Sequence, residues 1–291
     1  MAWLIVEFAM AETVSEAAAE ALARAGAEGV AEEWRQGQTY VRGFWQDAEE
    51  AQVAAATVAT LAQLVEVGLL ETAPEFTITA MEDQDWLQGW KQYFSPLDIS
   101  TRLAVAPSWE SYTAHPGQAV VTLDPGMAFG TGTHGTTFTC LQALADFLQP
   151  GMAVCDVGAG SGILAIAAVK LDAGDVVGTD TDPLAIRTAI ANAEQNDVAQ
   201  RIEFRVANLL DGVDGPFDLV IANIYGHIIQ QLIPDLPRVL PEAGLFISSG
   251  YITSQETGVH AALEDANHEI LKRYEREDWV TLVSRVPSHI D

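Results

Sequence analysis

From about residue 137 onward, strand-like runs alternate with helical patterns, and this alternation is what most constrains the fold. The runs AVCDVG, VVGTD, IEFRVAN, DLVIANI and GLFISSGY are short and largely apolar, and helical stretches separate most of them. The tail KRYEREDWVTLVSRV adds one or two last strands. Strands alternating with helices predict a parallel α/β sheet with helices on both faces, in which ligands bind at the carboxyl ends of the strands.

The first eighty or so residues have a different order: strand, helix, strand, strand, helix, strand. WLIVEF, GVAEEW, TYVRGFW and FTITAME are the strand-like runs, with ETVSEAAAEALARAG and DAEEAQVAAATVATLAQLVEVG as helices. This order predicts a small ferredoxin-like α+β domain over residues 1–82. The aromatic stripe of DQDWLQGWKQYFSP predicts a linker helix over 83–96, and residues 97–291 form the second domain.

The charge balance disfavours one class of partner. The chain has 14 Lys and Arg residues against 41 Asp and Glu residues, for a formal net charge of −27. Such a surface repels the phosphate backbones that basic patches normally bind, so we expect no direct nucleic-acid binding. It favours basic partners, although adaptation to salt or simple solubility explains the charge equally well.

Membrane, secretion and metal signals are also missing from the sequence. No apolar run approaches the roughly 18 residues needed to span a bilayer, and the start MAWLIVEFAM lacks the basic residues of a signal peptide. We therefore expect a cytoplasmic protein without a membrane partner. Cys140 and Cys155 lie in apolar patterns that indicate buried small residues, and no histidine pair has a metal-ligand spacing, so no metal site is expected.

A glycine-rich turn follows the first strand of the α/β region. Asp156-Val-Gly158-Ala-Gly160-Ser-Gly162 closes AVCDVG and opens a helix. Glycines let the backbone turn sharply and approach a ligand that a Cβ atom would exclude. In a dinucleotide fingerprint, G-x-G-x-x-G, the third glycine would fall at Ile163; here it comes one residue early. The spacing G-x-G-x-G resembles the first motif of class I methyltransferases.

Asp180 ends the next strand, 22 residues beyond Gly158. A carboxylate there can accept hydrogen bonds from both ribose hydroxyls of an adenosine. The same carboxylate would bind the ribose of NAD equally well. Asp180 therefore indicates an adenosine-containing ligand, but it does not by itself indicate methyl transfer. The alternative role, N-cap of the following helix, suits Asp182 better because Pro183 then takes the first helical position.

Asn223 ends the strand DLVIANI, at the sheet edge where a reacting methyl group would lie. Its carbonyl oxygen can accept a hydrogen bond from a substrate amine and direct the lone pair of that amine. A structural asparagine in a turn is the alternative reading.

The segment LDPGMAFGTGTHGTT, before the first helix of this region, combines many small residues with one aromatic, Phe129. This composition predicts a loop that closes over a ligand, with Gly130 and Gly132 as hinges. Thr137, near the helix start, can donate or accept a hydrogen bond. His134 is a candidate base, but a packing role is favoured because no partner is evident in the sequence.

Several of these segments together are similar to one known family. LDPGMAFGTGTH, DVGAGSGILAIAAVKLDA, GTDTDPLAI and ANI closely resemble the PrmA family, the methyltransferases of the eleventh large-subunit ribosomal protein. DWLQGWKQYFSPLDI and RLAVAPSW resemble the family's linker and the entry to its catalytic domain. The resemblance covers about residues 83–283, and over the N-terminal domain only the element order supports it.

The resemblance implies a Rossmann-like class I methyltransferase domain that binds S-adenosylmethionine. Asn223 is predicted to be catalytic as well as cofactor-binding. The predicted cofactor residues are Thr137, Gly158, Asp180 and Asn223 from the family's positions, with Phe129 and Gly160 from the adjoining loop and turn.

The resemblance further implies methylation of lysine side-chain and N-terminal amines on a basic ribosomal protein, which the N-terminal domain would hold. We expect the enzyme to act as a monomer. Two positions depart from the family: Gly135 stands where relatives often have proline, and Tyr225-Gly-His replaces a more apolar run. The second departure lies near the expected position of the substrate amine, so the family resemblance does not define how this chain contacts its substrate there.

Three other functions remain possible from the residues. A methyltransferase for another protein, a nucleic acid or a small-molecule amine would share the motifs, although the charge opposes nucleic acid. An NAD-dependent oxidoreductase would share Asp180, but the early third glycine and the Asn-Ile-Tyr segment oppose it. A catalytically silent binding module is the third alternative.

Overall fold

A computed structural model describes residues 2–35, 38–82, 95–124 and 134–287. Contacts divide the chain into two units, with the boundary between Ser95 and Pro96. The predicted linker helix lies almost wholly in 83–94 and therefore outside the described residues, as does Phe129. No helix in the described part of the chain is long and apolar enough to cross a membrane.

The first unit is a four-stranded antiparallel sheet with two helices. Its strands have the spatial order β2-β3-β1-β4. The element order is the one that the sequence predicts: β1 (Ala2–Met10), α1 (Glu12–Arg24), β2 (Gly29–Arg35), β3 (Gln38–Gln46), α2 (Glu50–Glu66) and β4 (Phe76–Glu82).

Alternation along β1 explains how this unit forms a core. Val6 and Phe8 are buried and point to the same face, because side chains two residues apart share one face of a strand. Leu22 of α1 and Leu61 of α2 pack into the same cluster. The unit thus has a hydrophobic core of its own.

The second unit begins with a small three-stranded sheet, β5 (Leu97–Ser100), β6 (Leu103–Ala106) and β7 (Ala119–Thr122). Strands β6 and β7 lie in the apolar runs RLAVAPSW and AVVTLDPG, and they pair in parallel. Strand β5, antiparallel to β6, was not predicted; its four residues directly follow the predicted linker.

The main sheet has seven strands in the order β10-β9-β8-β11-β12-β14-β13. The first five are parallel, and β14 runs antiparallel between β12 and β13. The elements are α3 (Gly135–Phe147), β8 (Val154–Val157), α4 (Ile163–Lys170), β9 (Val176–Asp180), α5 (Pro183–Gln195), β10 (Ile202–Val206), β11 (Leu219–Asn223), α6 (Gly226–Leu232), β12 (Leu245–Ile252), α7 (Thr253–Asp265), β13 (Glu269–Arg276) and β14 (Trp279–Arg285).

Two apolar layers cover this sheet because successive residues of each strand face opposite sides. Val154 lies in a cluster with residues of α3 and α4, and its neighbour Cys155 lies in a cluster with residues of α6 and α7. Cys155 and Cys140 are fully buried, as predicted.

Helix α6 is shorter than the sequence pattern HIIQQLIPDLPRVL suggests. It ends at Leu232 and continues as a 3₁₀ helix, Ile233–Arg238. Pro234 and Pro237 have no amide hydrogen to donate, so regular α-helical bonding stops there.

Candidate active site

Three predicted site residues lie on one edge of the main sheet. Val157, Thr179 and Ala222 are register partners on the adjacent strands β8, β9 and β11. The residue following each of them in the chain is Gly158, Asp180 and Asn223, respectively. The strand order reverses at β8, so the site lies at a topological switch point, where open parallel sheets bind ligands.

The glycine turn after β8 has backbone geometry that favours glycine. Gly158 has φ of 78° and Gly160 has φ of 53°. A Cβ atom on Gly158 would lie 2.3 Å from Cγ2 of Ile224, so the turn packs directly against the residue that follows Asn223. The amides of Gly158 and Ala159 both donate to the carbonyl of Thr179, at 2.8 Å. These contacts fix the turn against β9 and against the end of β11.

The carboxylate of Asp180 holds two backbone amides. Its Oδ2 accepts from the amide of Gly160 and its Oδ1 from the amide of Asp182, each at 2.9 Å. Each carboxylate oxygen has a second lone pair for a ligand hydroxyl. The prediction for Asp182 is confirmed: its side chain caps α5 by accepting from the amide of Leu184 at 2.7 Å, with Pro183 in the first turn.

Asn223 meets Thr137 across the site. The Asn223 Nδ2 group donates to Oγ1 of Thr137 at 3.4 Å, although the two residues are 86 positions apart in the chain. Thr137 is almost fully buried and Asn223 is half-buried. Because the amide nitrogen of Asn223 faces Thr137, its carbonyl oxygen faces away from that contact and can accept a hydrogen bond from another group.

His134 caps a helix and packs against an aromatic ring. It is the N-cap of α3, where its Nδ1 accepts from the amide of Thr136, and its ring packs edge-on against Trp279 at 4.8 Å between centroids. Burial lowers the pKa of His134 to about 4, so its imidazole is neutral at physiological pH. The favoured packing role agrees with this geometry, and the helix cap was not foreseen.

Asp156 lies at the end of β8 beside the glycine turn, and sequence reasoning assigned it no role. Its side chain is fully buried, and its Oδ2 accepts from the amide of Ala165 at 3.1 Å. Its Oδ1 has no hydrogen-bond partner in the part of the chain that the structure describes. Burial raises the pKa of Asp156 to about 7. An acidic residue inside the apolar run AVCDVG was the signal available, because buried carboxyl groups require a partner.

The arrangement fits an adenosine ligand with a charged amino-acid portion. Asp180 has acceptor capacity for ribose hydroxyls, and the unpartnered oxygen of Asp156 suits an ammonium group or an ordered water. Within the described residues, no group of three His, Cys, Asp or Glu side chains could hold a metal ion.

The sheet order and the glycine–acid pair at the switch point define a Rossmann-like class I methyltransferase domain. A profile of the family described as ribosomal protein L11 methyltransferase (PrmA) matches residues 2–287. The chain belongs to this family. It uses S-adenosylmethionine as cofactor and methylates ribosomal protein L11, as the resemblance implied.

Individual relatives agree with the family match. The L11 methyltransferase of Brevibacillus brevis is 43% identical over 226 residues, 77% of this chain and 72% of the relative. That of Pelotomaculum thermopropionicum is 45% identical over 206 residues, 71% and 67% of the two chains. A crystal structure of ribosomal protein L11 methylase from Lactobacillus delbrueckii subsp. bulgaricus has a TM-score of 0.62 and 35% identity, covering 67% of this chain and all of that one.

Proposed function

We propose that Thr137, Gly158, Asp180 and Asn223 form the S-adenosylmethionine site, and that Asn223 also directs the amine that receives the methyl group. The contact between Asn223 and Thr137 is the observation that carries this proposal. This contact joins the start of α3 to the end of β11, beside the glycine turn. Gly160, in the same turn, is part of the proposed site, and Phe129 remains a predicted member outside the described residues.

Asp180 is proposed to bind the ribose. Its carboxylate already accepts the amides of Gly160 and Asp182, and these two bonds keep the side chain in one orientation. Two ribose hydroxyls would add charge-assisted hydrogen bonds to the same group. Asp156 is proposed to face the ammonium of the cofactor, which would supply the partner that its Oδ1 lacks within the described residues.

Asn223 is proposed to orient the attacking nitrogen. With Nδ2 donating to Thr137, the carbonyl oxygen can accept an N–H from a substrate amine. The cofactor, when bound, would supply a methyl group on a sulfonium sulfur, and this sulfur would leave as a neutral thioether when the amine nitrogen bonds to the methyl carbon in line. The chain contributes positioning, which accounts for much of the acceleration in displacements of this kind. The amine must be neutral to attack, and removal from water favours the neutral form.

The proposed acceptors are lysine side-chain amines and the N-terminal amine of L11. The net charge of −27 supports a basic protein substrate, which such a surface attracts at long range. The same charge supports the absence of direct nucleic-acid binding. We also propose that the enzyme acts as a monomer.

The first unit is proposed to be a ferredoxin-like recognition domain, residues 1–82, connected by a linker, 83–96, to a methyltransferase domain, 97–291. Its strand order β2-β3-β1-β4 and its own hydrophobic cluster support this division. Among the described residues, the proposed site residues Thr137, Asp156, Gly158, Gly160, Asp180 and Asn223 all lie in the second unit. Recognition of L11 is therefore assigned to the first unit and chemistry to the second.

Mass spectrometry tests the proposed acceptors. Purified enzyme, S-adenosylmethionine and L11 are incubated, and methylated residues are located by peptide fragmentation. Mass increments of whole methyl groups are expected on lysine side chains and on the amino terminus. Methylation confined to other residue types would contradict the proposal, and a parallel reaction with ribosomal RNA tests the expected absence of nucleic-acid substrates.

A further inference from the structure

Three buried hydroxyl groups form a chain beneath the site. Oγ1 of Thr139, on α3, lies 2.7 Å from Oγ1 of Thr281, on β14. Oγ1 of Thr281 donates to Oγ of Ser249, on β12, also at 2.7 Å, and Ser249 donates to the carbonyl of Val280 at 3.0 Å. All three side chains are almost fully buried. The chain therefore connects a helix to two strands where water does not compete for the bonds.

The proton count gives this chain a direction. Each hydroxyl has one proton to donate. Ser249 uses its proton on Val280, and Thr281 uses its proton on Ser249. With the Thr281 proton on Ser249, Thr139 can only be the donor in its contact with Thr281. The single Thr139 proton is shared with the carbonyls of Gly135 and Thr136, which accept from Thr139 Oγ1 at 2.9 Å and 3.1 Å within α3.

A β-bulge brings Ser249 into this chain. The register between β12 and β14 shifts between Ser248 and Tyr251, so Ser249 lies inside the irregularity. Gly250, next in the chain, has φ of 94°, and a Cβ there would lie 2.3 Å from the carbonyl oxygen of Ile224. Bulges near functional sites redirect side chains in this way. Ser249 is also the register partner of Asn223.

The start of α3 is thus attached on two sides. Thr137 bonds to Asn223 at the end of β11, and Thr139 bonds to Thr281 on β14. Both residues belong to the first turns of a helix that begins at Gly135. The hydroxyl chain and the register pair of Ser249 with Asn223 close a ring of contacts through α3, β11, β12 and β14.

We infer that Thr281 and Ser249 are positioning residues that hold the start of α3 against the sheet edge, so that Thr137 is in place for the cofactor before binding. The inference rests on the proposed role of Thr137. It assigns an effect on cofactor affinity to two side chains with no direct part in the chemistry.

Replacement of the central hydroxyl tests this inference. Thr281→Val keeps the shape of the side chain, and Thr139 retains its α3 carbonyl acceptors, so the fold is expected to persist. We expect the Kd for S-adenosylmethionine, measured by calorimetry, to rise about three- to tenfold, the usual effect of one hydrogen bond. The methylation rate at saturating cofactor is expected to change by less than the affinity. Thr281→Ser restores the hydroxyl and should restore the affinity.

Ser284→Ala is the matched control. Ser284 is a buried hydroxyl on the same strand, bonded to His268 at 3.1 Å and remote from the site edge. It should lower the unfolding temperature without weakening cofactor binding. Wild-type affinity in Thr281→Val, or equal loss in Ser284→Ala, would overturn the inference.

Two further variants separate the possible failures. Ser249→Ala breaks the same chain at its next member and serves if Thr281→Val does not fold; unchanged affinity in it also overturns the inference. Thr137→Val removes the proposed cofactor contact itself. If Thr137→Val leaves affinity unchanged, the proposed function fails; if only Thr137→Val weakens binding, the positioning inference fails alone.

Discussion

Each unit contains an acidic side chain whose pKa is raised by burial, and the two side chains have different hydrogen-bond partners. In the first unit, Glu32 accepts a hydrogen bond from the hydroxyl of Ser15 at 2.5 Å, and burial raises the pKa of Glu32. In the second unit, one oxygen of Asp156 accepts a backbone amide, and the other has no partner among the described residues. A carboxyl group bonded to a neighbouring side chain needs no ligand, whereas a fully buried one beside a glycine turn, with an oxygen that lacks a partner among the described residues, is the kind of group that a ligand completes.

The sheets of the two units differ in strand direction. Strands of the first unit pair antiparallel and bury side chains on one helix-covered face. The parallel strands of the second unit end together at one edge, where Gly158, Asp180 and Asn223 meet. We expect the chemistry to lie in the second unit because parallel strands bring several carboxyl ends to the same edge of a sheet.

The largest expected effect is the loss of methyl-transfer rate when Asn223 is replaced. Asn223→Ala should lower single-turnover methyl transfer at saturating cofactor by roughly a hundred- to a thousandfold, the usual loss for a hydrogen bond at a reacting centre. Some loss of cofactor affinity is also expected. Glu32→Gln, in the first unit, is the matched change and should leave the rate unaltered. If the Asn223→Ala variant transfers methyl at the wild-type rate when it is saturated with cofactor, Asn223 contributes to cofactor binding and not to catalysis.

Asp156 should make stability depend on pH. Its folded pKa, about 7, is raised above the ordinary value of 3.8, so its stabilising contribution is complete below pH 4 and is lost as pH rises through 7. Asp156→Asn should remove this dependence and raise the free energy of unfolding of the cofactor-free protein at pH 8 by about 4 kcal/mol. Denaturant unfolding at pH 5 and pH 8 measures it. Equal pH dependence in variant and wild type would show that the carboxyl is ionised throughout.

Asp180 should affect binding more than rate. Asp180→Ala removes the acceptor proposed for the ribose hydroxyls, and the Kd for S-adenosylmethionine should rise about ten- to a hundredfold. Asp182→Ala, two residues along, is the matched control: it removes a helix cap, costs about 1 kcal/mol of stability, and should leave the Kd nearly unchanged. Calorimetry on both variants makes the comparison, and equal Kd values would contradict the ribose assignment.

The smallest effect is expected at Glu32. Its pKa is raised by burial, so it too contributes less stability as pH increases above its ordinary value of 4.5. Its Ser15 partner limits this effect. Glu32→Gln should therefore increase stability at neutral pH by less than Asp156→Asn does, as measured by the unfolding midpoint. A larger gain at Glu32 would reverse the comparison between the two units.

Local patterns in the sequence predicted much of this protein. Alternation of strands and helices gave the order of elements, because burial on one or two faces sets the period of apolar residues. Gly158, Asp180 and Asn223 could each be identified from the end of its own strand. Asp182 could be recognised as a cap because Pro183 follows it.

Contacts between distant segments depended on tertiary structure. Thr137 and Asn223 are 86 residues apart, and Thr139 and Thr281 are 142 apart, so no local pattern relates them. The placement of β14 between β12 and β13 and the bulge at Ser249 follow from sheet packing. The unsatisfied oxygen of Asp156 likewise appears only after folding, because its burial results from the helices packed around β8 and not from its neighbours in the chain.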